Sequence, residues 1–124
     1  RKESLDFLRR LLDTPSPSGH ETAGQRIWLE EVGQSATSTW NDAYGNCFAR
    51  LECGRDDAPT VAICGHADEI GLMVNNIDEK GFVYCRQIGG IDAGSIVGKR
   101  IRFLSSVEGV DEPVLGVIGA TAIH

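Results

Sequence analysis

Apolar stretches long enough to cross a bilayer are missing from these 124 residues. No run approaches the roughly eighteen apolar residues a spanning helix needs, and Arg1-Lys2-Glu3-Ser4-Leu5 has no signal-peptide h-region. A soluble chain with no membrane partner is expected. The sequence also starts without Met, which leaves room for a removed N-terminal or targeting piece. Positive charge is scarce: 12 Lys and Arg face 18 Asp and Glu, a net charge of −6, with no basic cluster to neutralise a phosphate backbone. That argues against nucleic acid as a partner. Close cysteine pairs are missing too, since Cys47, Cys53, Cys64 and Cys85 form no Cys-x-x-Cys, and no Asn-x-Ser/Thr sequon occurs. A disulfide scaffold and a structural zinc site are therefore disfavoured. Buried, reduced thiols and a cytoplasmic location are expected. Without Gly-x-Ser-x-Gly, Gly-x-Gly-x-x-Gly or a Walker A sequence, serine-nucleophile and dinucleotide chemistry have no anchor.

What is present is ordinary globular composition, 41% hydrophobic and 24% charged, in a length that suits one domain or parts of two. Fifteen glycines beside two Trp, two Tyr and four Phe favour tight turns and short strands over a helical bundle. The expected class is α/β. Leu5, Leu8, Leu11 and Leu12 recur at helical spacing within residues 4–13, and Pro15-Ser16-Pro17-Ser18-Gly19 ends that helix. Ser18 and Glu21 have capping-box spacing before a second helix carrying Ala23, Ile27 and Val32, with Gly33 as its expected C′ residue.

From residue 36 the period shortens to that of strands, with breaks at Tyr44-Gly45-Asn46 and Gly54-Arg55-Asp56-Asp57. Val61-Ala62-Ile63-Cys64 is continuously apolar, the pattern of a strand covered on both faces of a parallel or mixed sheet. Its polar continuation, Gly65-His66-Ala67-Asp68-Glu69, would then emerge at the carboxyl edge, where open α/β sheets usually bind ligands. Beyond Glu69 the pattern reads as β alone: 70–77, a turn at 78–81, 82–88, a Gly-rich bend, 99–104 and 114–119. This places a boundary near residue 70, with an α/β piece at 1–70 and a small barrel-like piece at 71–124. The last residues, from Val114 to His124, stop within apolar sequence, and the chain reads as cut there.

The strongest chemical signal is His66-Ala67-Asp68-Glu69. Imidazole is the commonest nitrogen ligand of zinc-like ions, and a metal-bound histidine usually gives its other N–H to a carboxylate that fixes its tautomer. Residues two apart on a strand share a face, so His66 and Asp68 can approach each other. His20 precedes Glu21 without the second histidine of His-Glu-x-x-His, which leaves it as a helix-start residue. Asp92, between glycines, is accounted for by turn chemistry.

Longer blocks extend this signal. Gly65-His66-Ala67-Asp68-Glu69-Ile70-Gly71-Leu72-Met73-Val74, then Ile77-Asp78-Glu79-Lys80-Gly81-Phe82, then Ile88-Gly89-Gly90-Ile91-Asp92 resemble the M42 metallo-aminopeptidases. Gly98-Lys99-Arg100-Ile101, Gly116-Val117-Ile118-Gly119, Pro15-Ser16-Pro17-Ser18-Gly19 and Gly45-Asn46 continue the match over nearly the whole chain. The resemblance implies a zinc-exopeptidase-like α/β domain interrupted by a small β-barrel dimerisation domain, assembled as a cytosolic homo-oligomer, usually a dodecamer. It implies His66 as a ligand of one of two divalent ions, zinc or cobalt. Asp68 enters the catalytic set as the carboxylate that orients His66, while Glu69 receives no role. The bridging carboxylate, the general base and the remaining ligands would lie beyond residue 124. Ala122-Ile123-His124 stands where related chains often have Pro-Pro-His, and His124 is unassigned.

The activity so implied is metal-assisted hydrolysis of the first peptide bond of short peptides, with a glutamate taking the proton of the attacking water. These 124 residues alone are expected to be inactive, because one imidazole cannot hold two ions. Two alternatives stand beside this reading: a non-catalytic β-barrel assembly module, and another zinc exopeptidase of the M20 or M28 type.

Overall fold

The leucine spacing near the amino terminus does produce a helix. In the computed structural model, which describes residues 2–104 and 113–120, α1 spans Lys2–Asp13 and α2 spans Thr22–Gly33. The two helices belong to one compact unit, Arg1–Gly89, and a second unit covers Gly90–His124. Arg10 of α1 reaches Glu30 of α2 at 3.4 Å, while Leu5, Leu8 and Leu12 remain exposed. α2 starts differently from the capping-box expectation. Glu21 is the N-cap residue without a side-chain cap bond; its carboxylate instead accepts from the Gly19 N–H at 2.7 Å, and Ser18 turns elsewhere. Gly33 is the last helical residue, and Gln34, still right-handed, closes the helix.

β1 (Ser38–Asn41) and β2 (Cys47–Arg50) form an antiparallel hairpin. Trp40 pairs with Phe48 across it, with ring centroids 5.1 Å apart and planes 6° from parallel. Such an aromatic pair adds roughly 0.5–1 kcal/mol beyond its burial. The Gln25 side chain donates to the Gly45 carbonyl and ties α2 to this turn. β3 (Gly71–Ile77) and β4 (Val83–Ile88) form a second, longer hairpin, with a bulge between Val74 and Asn76.

In the second unit, α3 (Ala93–Ile96) is a single turn that the strand-like reading of this half overlooked. Asp92 caps it by accepting from the Gly94 N–H at 3.0 Å. β5 (Arg100–Phe103) pairs antiparallel with β6 (Val114–Val117). Gly116 lies between Ile101 and Phe103, where an added Cβ would sit 2.9 Å from the Phe103 ring.

Two expectations of burial are corrected. Val61-Ala62-Ile63-Cys64 is neither a strand nor buried: Val61 is 81% and Ile63 97% exposed. A strand exists only through its neighbours' hydrogen bonds, and no described segment pairs with this one. The expected barrel is not shown among the described residues, where each sheet contains two strands and none closes. The cysteines are free as expected, but Cys53 and Cys64 are exposed and Cys47 and Cys85 only half-buried. Among the described residues no apolar side chain is fully buried; the deepest points are Ser16 and Gly24.

Candidate functional site

The buried point marks where the Pro-Ser-Pro-Ser strip docks. Proline fixes its own φ and drives the preceding residue toward extended conformations, so residues 15–18 are predisposed to run straight. Pro17 forms an isolated parallel bridge with Glu69. In that bridge Glu69 N–H donates to the Ser16 carbonyl at 2.9 Å, and Ser18 N–H donates to the Glu69 carbonyl at 3.3 Å. Neither bond needs an N–H from Pro17, which is why a proline can occupy the bridge position. The Glu69 carboxylate adds a bond of 2.8 Å from the Ser16 N–H. Two glycines make the close approach possible: an added Cβ would lie 2.5 Å from Ser16 Oγ at Gly24 and 2.8 Å from Pro17 Cβ at Gly71.

Asp68 sits between this strip and His66. Its Oδ2 accepts from the Ser18 hydroxyl at 2.5 Å, and its Oδ1 lies 3.2 Å from His66 Nδ1. The same Nδ1 is 2.9 Å from the Asp68 backbone carbonyl. Both partners of Nδ1 are acceptors, so the network assigns the proton to Nδ1 and leaves Nε2 as the ring's lone-pair nitrogen. The imidazole is open to solvent, with 86% of its side chain exposed against 40% for Asp68. The Ser18 hydrogen bond, aided by the backbone and by His66, holds the Asp68 carboxyl below its ordinary 3.8.

The two site residues expected from sequence, His66 and Asp68, are therefore brought together. A histidine whose Nδ1–H rests on a carboxylate while Nε2 faces outward is chemically fitted to ligate a divalent cation. It is one ligand only, since the described residues contain no group of three His, Cys, Asp or Glu side chains able to hold an ion. His124 lies outside the described residues. Sequence reasoning missed Ser18, taken as a helix cap, and Glu69, left without a role. The available signal was the alternation of Pro and Ser, which straightens the strip and sets Ser16 and Ser18 on either side of Pro17.

The chain as a whole is similar to known proteins. The lysyl aminopeptidase of Pyrococcus furiosus is 31% identical over 114 residues, 91% of this chain and 32% of that protein. Aminopeptidase APDkam598 from the archaeon Desulfurococcus kamchatkensis superposes with a TM-score of 0.85 at 25% identity, covering 99% of this chain and 33% of that one. PhTET1-12s, solved with a dodecamer in the asymmetric unit, superposes with a TM-score of 0.73 at 28% identity over 95% of this chain and 34% of its own. The chain thus spans about a third of the length of the curated relatives it matches. Residues 45–124, well over half of the sequence, match the M42 glutamyl aminopeptidase family, and with the His66–Asp68 pair inside that match the chain belongs to this family.

Proposed function

We propose that this chain supplies one corner of the metal centre of an aminopeptidase that releases N-terminal residues from short peptides. The observation that carries the reading is the His66 ring, held through Nδ1 by Asp68 with Nε2 turned outward. Family membership supports the peptidase activity, as does the likeness to the lysyl aminopeptidase of Pyrococcus furiosus. His66 would hold a divalent ion through Nε2, and Asp68 would keep the ring in the required tautomer and orientation. When bound, a pair of zinc or cobalt ions supplies an activated water and electrophilic stabilisation of the developing oxyanion. Glu69 secures the strip from behind through Ser16 and takes no proton in this scheme.

The domain assignment belongs to the same proposal: residues 1–70 to the catalytic α/β domain and 71–124 to an inserted β-barrel dimerisation domain. Both long helices precede Glu69 and the strands β3 to β6 follow it, which supports this division. Homo-oligomeric assembly toward a dodecamer is proposed from PhTET1-12s. A cytoplasmic location is proposed from the four free thiols. No described helix is long and apolar enough to cross a membrane.

Chelation of the full-length protein should abolish amino-acid release, and zinc or cobalt should restore it. His66→Ala should lower metal content together with activity. Full activity and unchanged metal content in that variant would overturn the assignment.

A further inference from the structure

Within the pair, His66 Nδ1 is held by the Asp68 carbonyl at 2.9 Å and by Oδ1 at 3.2 Å, but nothing in the pair itself fixes the plane of the carboxylate. Residues 59–67 form no helix or strand, and His66 is almost fully exposed. The last torsion of an aspartate is broad and roughly two-fold, so a carboxylate held at one oxygen turns freely about its bond to Cβ. Asp68 is held at both. Oδ1 faces His66 Nδ1 and Oδ2 takes the Ser18 hydroxyl, so the plane of the carboxylate is set by a residue 50 positions earlier in the chain.

Ser18 is itself anchored. Its N–H bonds the Glu69 carbonyl, and two residues back Ser16 is the most buried polar residue described, seated against Gly24 of α2. Pro17 lies against Gly71 at the start of β3. A continuous chain of contacts therefore runs from α2 through the strip to Ser18, then to Asp68 and the imidazole.

We propose that Ser18 is a positioning residue for the metal centre: its hydroxyl locks the Asp68 carboxylate in the orientation that presents His66 Nε2 to the ion. Ser18 touches neither metal nor substrate in this role. The proposal rests on the reading of His66 as a ligand, and the experiment keeps the two apart.

Metal-depleted full-length protein is titrated with zinc or cobalt against a chelating dye, and the visible absorption of the cobalt form is recorded. The variants are His66→Ala, Ser18→Ala, Ser18→Thr and Ser18→Val. Loss of a hydrogen bond made directly to a ligand costs about ten- to a hundred-fold in metal affinity, and Ser18 acts one bond further out through Asp68, so a loss of up to about ten-fold is the expected size. That loss is expected in Ser18→Ala and Ser18→Val, with an altered cobalt spectrum, while Ser18→Thr keeps the original affinity and spectrum. Thr and Val differ only by a hydroxyl against a methyl group, so this pair decides the matter even if Ser18→Ala disturbs folding. Equal affinities and spectra for Thr and Val, with affinity lost in His66→Ala, would overturn the role of Ser18 and leave the ligand reading standing. Retention of metal by His66→Ala would overturn the ligand reading itself, and the proposal with it.

Discussion

Two aspartates build two of the hairpins by the same device. Asp42 Oδ1 accepts from the N–H groups of Tyr44 and Asn46, both at 2.9 Å, and Asp78 Oδ1 accepts from those of Lys80 and Phe82 at 3.0 and 2.8 Å. The glycine three positions after each, Gly45 and Gly81, has φ of +86° and +84°, where a Cβ would be strained. Asp-x-x-Gly is thus a three-residue hairpin loop written in local spacing. Asp42 also accepts from the Asn46 side chain, the largest cause of its carboxyl lying below the ordinary 3.8. Its folded value is the lower one, so its contribution to the turn is complete above about 3.8 and is lost as pH falls through the folded value. A 13C titration of the Asp42 carboxyl should therefore show a midpoint below 3.8. In Asn46→Ala the midpoint should move back toward that value; an unchanged midpoint would assign the shift to another cause.

At the level of elements, the docked strip depends on two glycines that differ in what faces them. At Gly24 the obstacle is the hydroxyl of Ser16, which can rotate away at the cost of its 3.3 Å bond to the Thr14 carbonyl. That loss, about 1 kcal/mol, is similar to the helix propensity gained on replacing an interior glycine by alanine. Gly24→Ala should therefore be near neutral in stability. At Gly71 the obstacle is the ring of Pro17, which cannot rotate, and overpacking of this kind costs about 1–3 kcal/mol. Gly71→Ala should lift the strip from Glu69. Hydrogen exchange at the Ser16, Ser18 and Glu69 amides should then speed up roughly five- to a hundred-fold. Unchanged exchange would show that the strip is held by something other than this contact.

At the scale of the whole molecule, the described residues leave apolar surface in water and bury no apolar side chain fully. Ile63, Val61, Leu12 and Phe82 are among the large apolar side chains left in water. Residues 1–124 expressed alone should bind a hydrophobic dye and self-associate at micromolar concentration. They should also release no amino acids from peptides with zinc or cobalt added, since one imidazole does not make a two-metal site. Metal-dependent turnover by the purified fragment at the rate of the full-length protein would move the active site elsewhere.

Features readable from the residues alone are those whose partners lie within a few positions. Helix α1 follows from its leucine spacing, the hairpin loops from Asp and Gly three apart, and the approach of His66 to Asp68 from a separation of two. Contacts between distant parts of the chain required the fold. Val61 to Cys64 has a buried strand's composition, yet strand and burial both depend on neighbours that composition does not supply. Ser18 and Asp68 are 50 positions apart and Ser16 and Glu69 are 53 apart. No local pattern specifies such pairs, because closing a loop of that length becomes favourable only when several contacts form together. Here those contacts are the bridge at Pro17 and the two close approaches at Gly24 and Gly71. The spacing of two therefore put a histidine within reach of a carboxylate although no strand aligns them, and the tertiary contacts decided which way the carboxylate faces.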